Sequence, residues 1–236
     1  MNRAHLSLAA AAAASVVLLA GCGSSGDSAT SGKSPTEVMA TAKQKLDATS
    51  GVEISLKASD DPGTDYLQSA EGTIVADPPS FEGTVAGRVS GLSDSGIDVV
   101  SVDGTLWIKV PILGWTDKYQ AKDLCAPDPA TLLDPDSGVS DLLTSATDLS
   151  AGKSERDTDD ASVVVTPYSG KEPGDAIRSI LPCAEGDSFD ARFQVADDGA
   201  LRSAELTGSF FPGSDPITYT IEVTKYGVTK DIKAPQ

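Results

Sequence analysis

Histidine is almost absent from this chain. The one histidine, His5, lies in the N-terminal apolar segment, and none follows it. Without an imidazole, the rest of the chain cannot form Ser-His-Asp or Cys-His catalytic sites or a His-ligated zinc site. The Gly-rich phosphate loop that ends in Gly-Lys-Ser/Thr is also missing. Two options remain: chemistry that uses carboxylates alone, and a Ser-Lys dyad, whose lysines would lie on predicted tethers, strands or turns. We expect no enzyme activity, no metal site and no cofactor.

Basic residues are scarce. The chain has 18 lysines and arginines against 35 acidic residues, which gives a formal net charge of −17. So acidic a surface repels nucleic acid and anionic lipid headgroups. We therefore expect no nucleic-acid partner, and we expect a soluble monomeric domain.

Cysteine is also rare, and the first of the three cysteines has a distinctive setting. Arg3 and an apolar run precede the sequence Leu19-Ala20-Gly21-Cys22. This pattern predicts a bacterial lipoprotein signal peptide over residues 1–21, followed by acylation of Cys22. A plain secretory signal with a chance cysteine is the alternative, and the run is shorter than the roughly 20 residues that a membrane span needs. Acylation would anchor the protein at the outer face of the plasma membrane or in the cell envelope.

The other two cysteines are Cys125 and Cys183. An exported protein folds in an oxidising compartment, where a disulfide between them is the natural expectation. Two buried free thiols are the alternative.

The mature chain divides into a tether and one domain. Residues 22–34 are rich in glycine and serine, which predicts a disordered tether. The domain, residues 35–236, is expected to begin with a helix, because Ser34, Pro35 and Glu37 form a capping-box pattern with proline at the first helical position. The period-two pattern that follows predicts an antiparallel meander, with Asp103-Gly104 as a hairpin turn.

The middle of the chain gives short helical signals near residues 129–133, 136–146 and 173–180, and strands return after residue 188. The fold class is therefore α+β, with short helices on one side of a long antiparallel sheet. Glycines within the predicted strands, such as Gly72, Gly83 and Gly208, allow sharp bending. We expect a strongly curved half-barrel whose concave face encloses an apolar cavity with the helices.

Acidic clusters and aromatic residues each allow two interpretations. Asp60-Asp61 and Asp134-Pro135-Asp136 are typical of the four acidic clusters, which resemble carboxylate pairs or calcium ligands but fall at predicted turns. The aromatic residues form either the rim of an apolar pocket or ordinary core packing. They are Trp107, Trp115, Tyr119, Phe210, Phe211 and Tyr226.

An ordered set of segments resembles a known family. The segments are residues 102–107, Trp115-Thr116-Asp117, residues 132–139, Leu142-Leu143 and residues 224–227. In this order behind a lipobox, they resemble the LppX/LprA/LprF/LprG lipoproteins of mycobacteria and their relatives. The resemblance covers nearly the whole chain after the tether. This chain departs from the pattern in its Cys125/Cys183 pair, in Tyr226 where tryptophan is usual, and in its greater acidity.

The resemblance implies a half-barrel sheet with helices on its concave side and acyl chains in the space between them. We therefore expect an envelope lipoprotein that binds the acyl chains of lipids or glycolipids and takes part in their transport, in some relatives beside an envelope transporter. The alternatives are a solidly packed module that docks on a transporter or sensor kinase, and a hydrolase that uses carboxylates alone. The candidate cavity residues are Ile54, Leu56, Ile74, Val85, Val89, Val99, Leu106, Ile108, Leu132, Leu133, Leu142, Val163, Val165, Phe193, Leu206, Ile221 and Val223.

Overall fold

A computed structural model describes residues 28–89 and 92–236. Cys22 and the first residues of the predicted tether lie outside this part. Ser28 is already in contact with the domain, because its hydroxyl donates to the carbonyl oxygen of Asp197 at 3.2 Å.

The first helix begins where the capping pattern predicts. Helix α1 spans Pro35–Asp47. The Glu37 N–H donates to the Ser34 hydroxyl at 3.4 Å, and the Ser34 N–H donates to the Glu37 carboxylate at 2.8 Å, so both arms of the capping box form. Val38, Met39, Ala42 and Leu46 bury one face of α1 against the main core.

Twelve strands are found in the described residues, and they form one antiparallel sheet. Its strands are β1 Gly51–Ala58, β2 Tyr66–Val75, β3 Ser80–Val89, β4 Leu92–Val102, β5 Thr105–Val110, β6 Gly114–Thr116, β7 Thr147–Ala151, β8 Glu155–Arg156, β9 Val164–Pro173, β10 Ser188–Ala196, β11 Leu201–Gly208 and β12 Ile217–Tyr226. The spatial order is β6-β5-β4-β3-β2-β1-β12-β11-β10-β9-β7, and β8 pairs with β9. The two halves of the chain therefore join through β1 and β12, with β6 at one edge.

The turns follow local chemistry. Asp103 and Gly104 join β4 to β5 with φ angles of 53° and 71°, the left-handed pair that a two-residue hairpin turn requires. At the other end of β5, Pro111, Ile112 and Leu113 join β5 to β6 and form what we call the hairpin tip.

The remaining helices are short. They are α2 Leu142–Ser145 and α3 Gly174–Ile180, with 3-10 turns at Ala121–Leu124, Pro129–Thr131 and Val139–Asp141. The one helix predicted over residues 136–146 is therefore a 3-10 turn followed by a single α-helical turn. The α+β class and the antiparallel sheet are confirmed. Strong curvature of the sheet and an enclosed cavity stay predictions.

The disulfide is present. Cys125 and Cys183 are bonded, with their Cα atoms 5.6 Å apart. The bond joins the end of the 3-10 turn Ala121–Leu124 to the segment that follows α3. It therefore fastens together two parts of the helical side of the molecule that lie 58 residues apart in the sequence.

Candidate functional site

A line of aliphatic side chains crosses five strands on the core face of the sheet. By register, Ile221 of β12 lies opposite Leu56, Leu56 opposite Ala70, Ala70 opposite Val85, and Val85 opposite Ile97. All five side chains are half-buried rather than buried. We call this line the aliphatic row. With neighbouring strands about 4.8 Å apart, it is roughly 19 Å long.

The next line along the same face is filled more tightly. Gly72 and Gly83 lie opposite each other, and the buried ring of Phe81 lies over both. A Cβ added at Gly72 would lie 2.7 Å from Cε2 of Phe81, and one added at Gly83 would lie 2.6 Å from its Cζ. Glycine at these two positions therefore makes room for the Phe81 ring. This part of the core face is solid packing.

The helical cover is uneven. The 3-10 turn Pro129–Thr131 packs on β2, β3 and β4, while α2 packs on α1, α3 and β9. The aliphatic row crosses three of the strands that the 3-10 turn contacts, yet its five side chains stay half-exposed. Half-buried side chains from the helical side, including Leu132, Val139 and Leu149, also border the main core.

The seventeen predicted cavity residues separate into three groups. The fully buried ones are Ile74, Val99, Leu133, Leu142, Val165, Phe193, Leu206 and Val223. The half-buried ones are Ile54, Leu56, Val85, Leu106, Ile108, Leu132, Val163 and Ile221. The side chain of Val89 lies outside the described residues. An acyl chain needs apolar surface that is not already in full contact, so the half-buried group is the better candidate.

Val163 and Val165 do not lie with the others. They pack with Ala196 and Ala200 in a small cluster separate from the main core. The structure therefore brings the half-buried residues of the first six strands and β12 together, and leaves these two valines apart.

The opposite face of the sheet carries two adjoining open grooves, of about 750 and 580 Å³. Ser55, Glu71 and Thr84 line both, and Leu56, Ala70 and Val85 of the aliphatic row also border the larger one. The Ser55 hydroxyl donates to the Glu222 carboxylate at 3.0 Å. Because both grooves are open and mix charged with apolar lining residues, neither is a dry apolar cavity.

The acidic clusters are turn residues. Asp134 accepts hydrogen bonds from the N–H groups of Asp136 at 2.8 Å and Ser137 at 3.1 Å. The N–H of Asp136 is the main cause that lowers the pKa of Asp134. Asp157 and Asp198 accept backbone N–H groups in the same way. No group of three or more potential metal ligands occurs in the described ranges.

The aromatic residues take part in ordinary packing. Trp107 and Trp115 pack on a small cluster of Val75, Val100, Val102 and Ile232. Phe210 lies 4.8 Å from Phe189 and 5.0 Å from Tyr219 between ring centroids. Among the described aromatic residues, Tyr119 alone is exposed as a large hydrophobic side chain.

One buried carboxyl was not predicted. Glu172 of β9 is fully buried opposite Phe189, and the Ser145 hydroxyl of α2 donates to its Oε2 at 2.7 Å. Its Oε1 has no partner. Burial raises the pKa of Glu172 to about 7, and the Ser145 hydrogen bond only partly offsets this rise. Lys171-Glu172-Pro173 looks like an exposed loop in the sequence, so no local signal marks this residue.

The comparisons with known proteins agree with this architecture. A model of the LppX_LprAFG lipoprotein family matches residues 34–233. The chain belongs to this family. Because it is a family of lipid-carrier lipoproteins and not of enzymes, the prediction that this chain is not an enzyme is confirmed. Membership also implies a location in the cell envelope. No helix in the described ranges is long and apolar enough to cross a membrane.

Individual relatives add detail. The chain is 31% identical over 116 residues to proteins named lipoarabinomannan carrier protein LprG in Mycobacterium tuberculosis and Mycobacterium bovis. The match covers 49% of this chain and 47% of each relative, so the chain spans about half the length of the curated relatives it matches.

Two crystal structures share the fold. LprF from Mycobacterium bovis matches with a TM-score of 0.69 at 13% identity, covering 85% of this chain and 96% of LprF. LppX from Mycobacterium tuberculosis matches with a TM-score of 0.60 at 19% identity, covering 85% of this chain and all of LppX.

Proposed function

We propose that this lipoprotein binds acyl chains of a lipid or glycolipid against the aliphatic row, between the sheet and the helical cover, and takes part in moving that lipid through the cell envelope. The observation that carries the proposal is the row itself. Five aliphatic side chains in register stay half-exposed across five neighbouring strands, beside a line that the Phe81 ring fills.

Solvation supplies the driving force. Each CH₂ group moved from water to an apolar surface contributes about 0.8 kcal/mol, so a long acyl chain along the row would gain several kcal/mol without covalent chemistry. The helical cover would exclude water from the other side of the chain. The headgroup would stay outside, because the apolar row has no hydrogen-bonding side chain to offer it.

The relatives support a glycolipid in particular. LprG is named a carrier of lipoarabinomannan, and this chain resembles LprG over about half of its length. We propose a glycolipid ligand of the same general class. We also propose that acylation of Cys22 anchors the domain to the membrane, with residues 22–34 as its tether. A partnership with an envelope transporter stays a hypothesis.

Native mass spectrometry of the full chain made in an actinobacterial host tests the proposal. We expect bound lipid that is lost on denaturation. Val85→Asn places an amide in the aliphatic row, and the lost apolar contact should weaken binding by roughly tenfold or more. Thr84→Asn is the matched control, since Thr84 is the adjacent residue on the polar face. A wild-type protein that never carries lipid, or equal occupancy in the two variants, would contradict the proposal and favour the solidly packed docking module.

A further inference from the structure

The hairpin tip exposes two large apolar side chains to solvent. Ile112 is fully exposed and Leu113 is 82% exposed. Across the described ranges, the only other large hydrophobic side chain that is exposed is Tyr119, which lies six residues further along the chain. Among the described residues, the exposed large apolar side chains therefore fall within one short stretch of the sequence, and the two most exposed are at the tip.

The backbone holds these side chains outward. The Leu113 N–H donates to the Pro111 carbonyl at 2.8 Å, and Ile112 between them has a φ of 69°. This is a γ-turn of the rare, strained kind. A positive φ is least favourable for a β-branched residue such as isoleucine. Strain of this kind is concentrated at sites that bind or switch, so this turn calls for a functional explanation.

The residues around the tip are those that suit a lipid–water boundary. One lysine lies beside the tip, because Lys109 of β5 is opposite Trp115 of β6 and its ammonium contacts the Asp98 carboxylate at 2.9 Å. Trp115 lies directly after the turn, and the Lys109 ammonium lies 5.7 Å from its ring centroid. Aliphatic, tryptophan and lysine side chains together are typical of segments that enter a membrane interface.

The tip also continues the aliphatic row. Val110, the last residue of β5, follows Ile97 of β4 by the register that pairs Val99 with Ile108. Val110 is half-buried like the other members of the row, and Pro111 comes next. A half-exposed apolar path therefore leads from the tip to the surface where we propose that acyl chains bind. A protein partner would not need such a path, but a lipid that enters or leaves would.

The N-terminal segment lies at the opposite end of the strands. Ser28 contacts Asp197, and the Ala29 side chain lies near Gly199, both in the turn between β10 and β11. The antiparallel register places that turn at the same end of the sheet as the Asp103-Gly104 turn. The hairpin tip lies at the other end, one strand length or more away. A membrane beside the N-terminal segment is therefore not the surface that the tip faces.

We propose that the hairpin tip inserts into a lipid surface other than the one beside the N-terminal segment. Ile112 and Leu113 enter the apolar layer, and Lys109 and Trp115 stay at its boundary. The docking does not depend on acyl-chain binding, although it would give the bound lipid a short way into or out of that surface.

The test uses full-length protein held by its N-terminal segment in phosphatidylcholine vesicles, to which protein-free phosphatidylcholine vesicles are then added. Leu113→Trp adds an indole at the tip. Lys225→Trp adds one at an exposed strand position near the far end of the sheet and is the matched control. Acrylamide quenching in water measures how accessible each added indole is, after subtraction of the wild-type signal.

We expect the added vesicles to reduce quenching of the Leu113→Trp indole several-fold and to leave the Lys225→Trp indole unchanged. Ile112→Ser in the Leu113→Trp protein should weaken this docking by roughly tenfold, because it removes the second inserted side chain. Equal quenching at both positions, or protection before the second vesicles are added, would overturn the proposal. So would a dimer in solution that Ile112→Ser together with Leu113→Ser dissociates.

This result is separable from acyl-chain binding. A lipid held at the aliphatic row would not shield an indole at the tip from acrylamide. Conversely, bound lipid detected by mass spectrometry would survive the loss of docking. Each proposal can therefore fail while the other stands.

Discussion

Replacing Glu172 by glutamine should stabilise the protein at neutral and alkaline pH but not at acidic pH. The carboxyl of Glu172 is buried between β9 and α2, with one hydrogen bond from Ser145 and one oxygen without a partner. No charged group is near enough to be among the causes of its raised pKa, which are burial and the Ser145 hydrogen bond. Ionisation therefore places an uncompensated charge in the core.

The sign follows from proton binding. The pKa of Glu172 rises from an ordinary value of 4.5 to about 7 in the folded protein. Between these two values the folded state keeps the proton while the unfolded state has lost it, so stability falls as pH rises. At 1.36 kcal/mol for each pH unit, the loss approaches about 3 kcal/mol above pH 7. Below pH 4.5 both states are protonated and there is no loss.

Glutamine keeps the shape of the protonated carboxyl and cannot ionise. Glu172→Gln should therefore match the wild type near pH 4.5 and exceed its free energy of unfolding by about 3 kcal/mol at pH 8. For a domain of this size, that is a rise in melting temperature of roughly 6–12 °C. Urea unfolding at several pH values, with the denaturant slope checked for constancy, measures the difference directly.

Glu71→Gln is the matched control, because Glu71 is an exposed carboxylate on the polar face. It should change stability by less than about 0.5 kcal/mol throughout. A difference between Glu172→Gln and wild type that stays constant from pH 4.5 to pH 8 would refute the reasoning, as would a difference that shrinks as pH rises.

Other predictions concern the disulfide, a glycine contact and a buried ion pair. Replacing Cys125 and Cys183 together by alanine should lower the free energy of unfolding by about 4 kcal/mol, from the entropy of the 58-residue loop, in urea titrations compared with the oxidised protein. Gly83→Ala should destabilise by about 1–3 kcal/mol in thermal unfolding, because its Cβ would lie 2.2 Å from the Glu71 carbonyl oxygen; an unchanged melting temperature would contradict the packing described. Asp157 accepts from Arg202 at 3.0 Å, and its pKa is lowered because its hydrogen bonds outweigh the opposing effect of burial. Asp157→Asn should therefore lose about 1–3 kcal/mol at pH 7 and progressively less as the pH falls below the ordinary range of aspartate, which stability curves at pH 7 and pH 3 would show.

Local signals were enough to predict much of the fold. The Ser34 capping box, the Asp103-Gly104 hairpin and the aspartates that accept backbone N–H groups each depend on residues within a few positions, and the structure contains all of them. The disulfide required only an oxidising compartment and two available cysteines. The first three are fixed by short-range backbone geometry. The disulfide follows because only two cysteines remain once Cys22 is assigned to acylation.

The site was harder to predict, because burial is decided by elements far apart in the sequence. Leu56 and Leu206 are both aliphatic strand residues, yet Leu56 stays half-exposed and Leu206 is buried. Leu206 is a buried member of the main core, whereas Leu56 only borders it, and the alternation of the strand residues is the same in both cases. Glu172 was missed for the same reason: its neighbours Lys171 and Pro173 are exposed, and only the packing of α2 buries it.

The position of Glu172 under α2 also links this residue to the proposed ligand site. The carboxyl lies under α2, and α2 is one of the elements that exclude water from the core face. Ionisation of Glu172 would weaken the attachment of α2 to β9 before it unfolded the sheet, because the other strands hold their own registers. A pH rise from about 6 to 8 should therefore lower the amide protection factors, which are corrected for the intrinsic pH dependence of exchange, in α2 more than in β1 or β12, and Glu172→Gln should abolish that loss. If protection instead falls equally in the helix and the strands, the buried carboxyl affects the whole domain and not the cover alone.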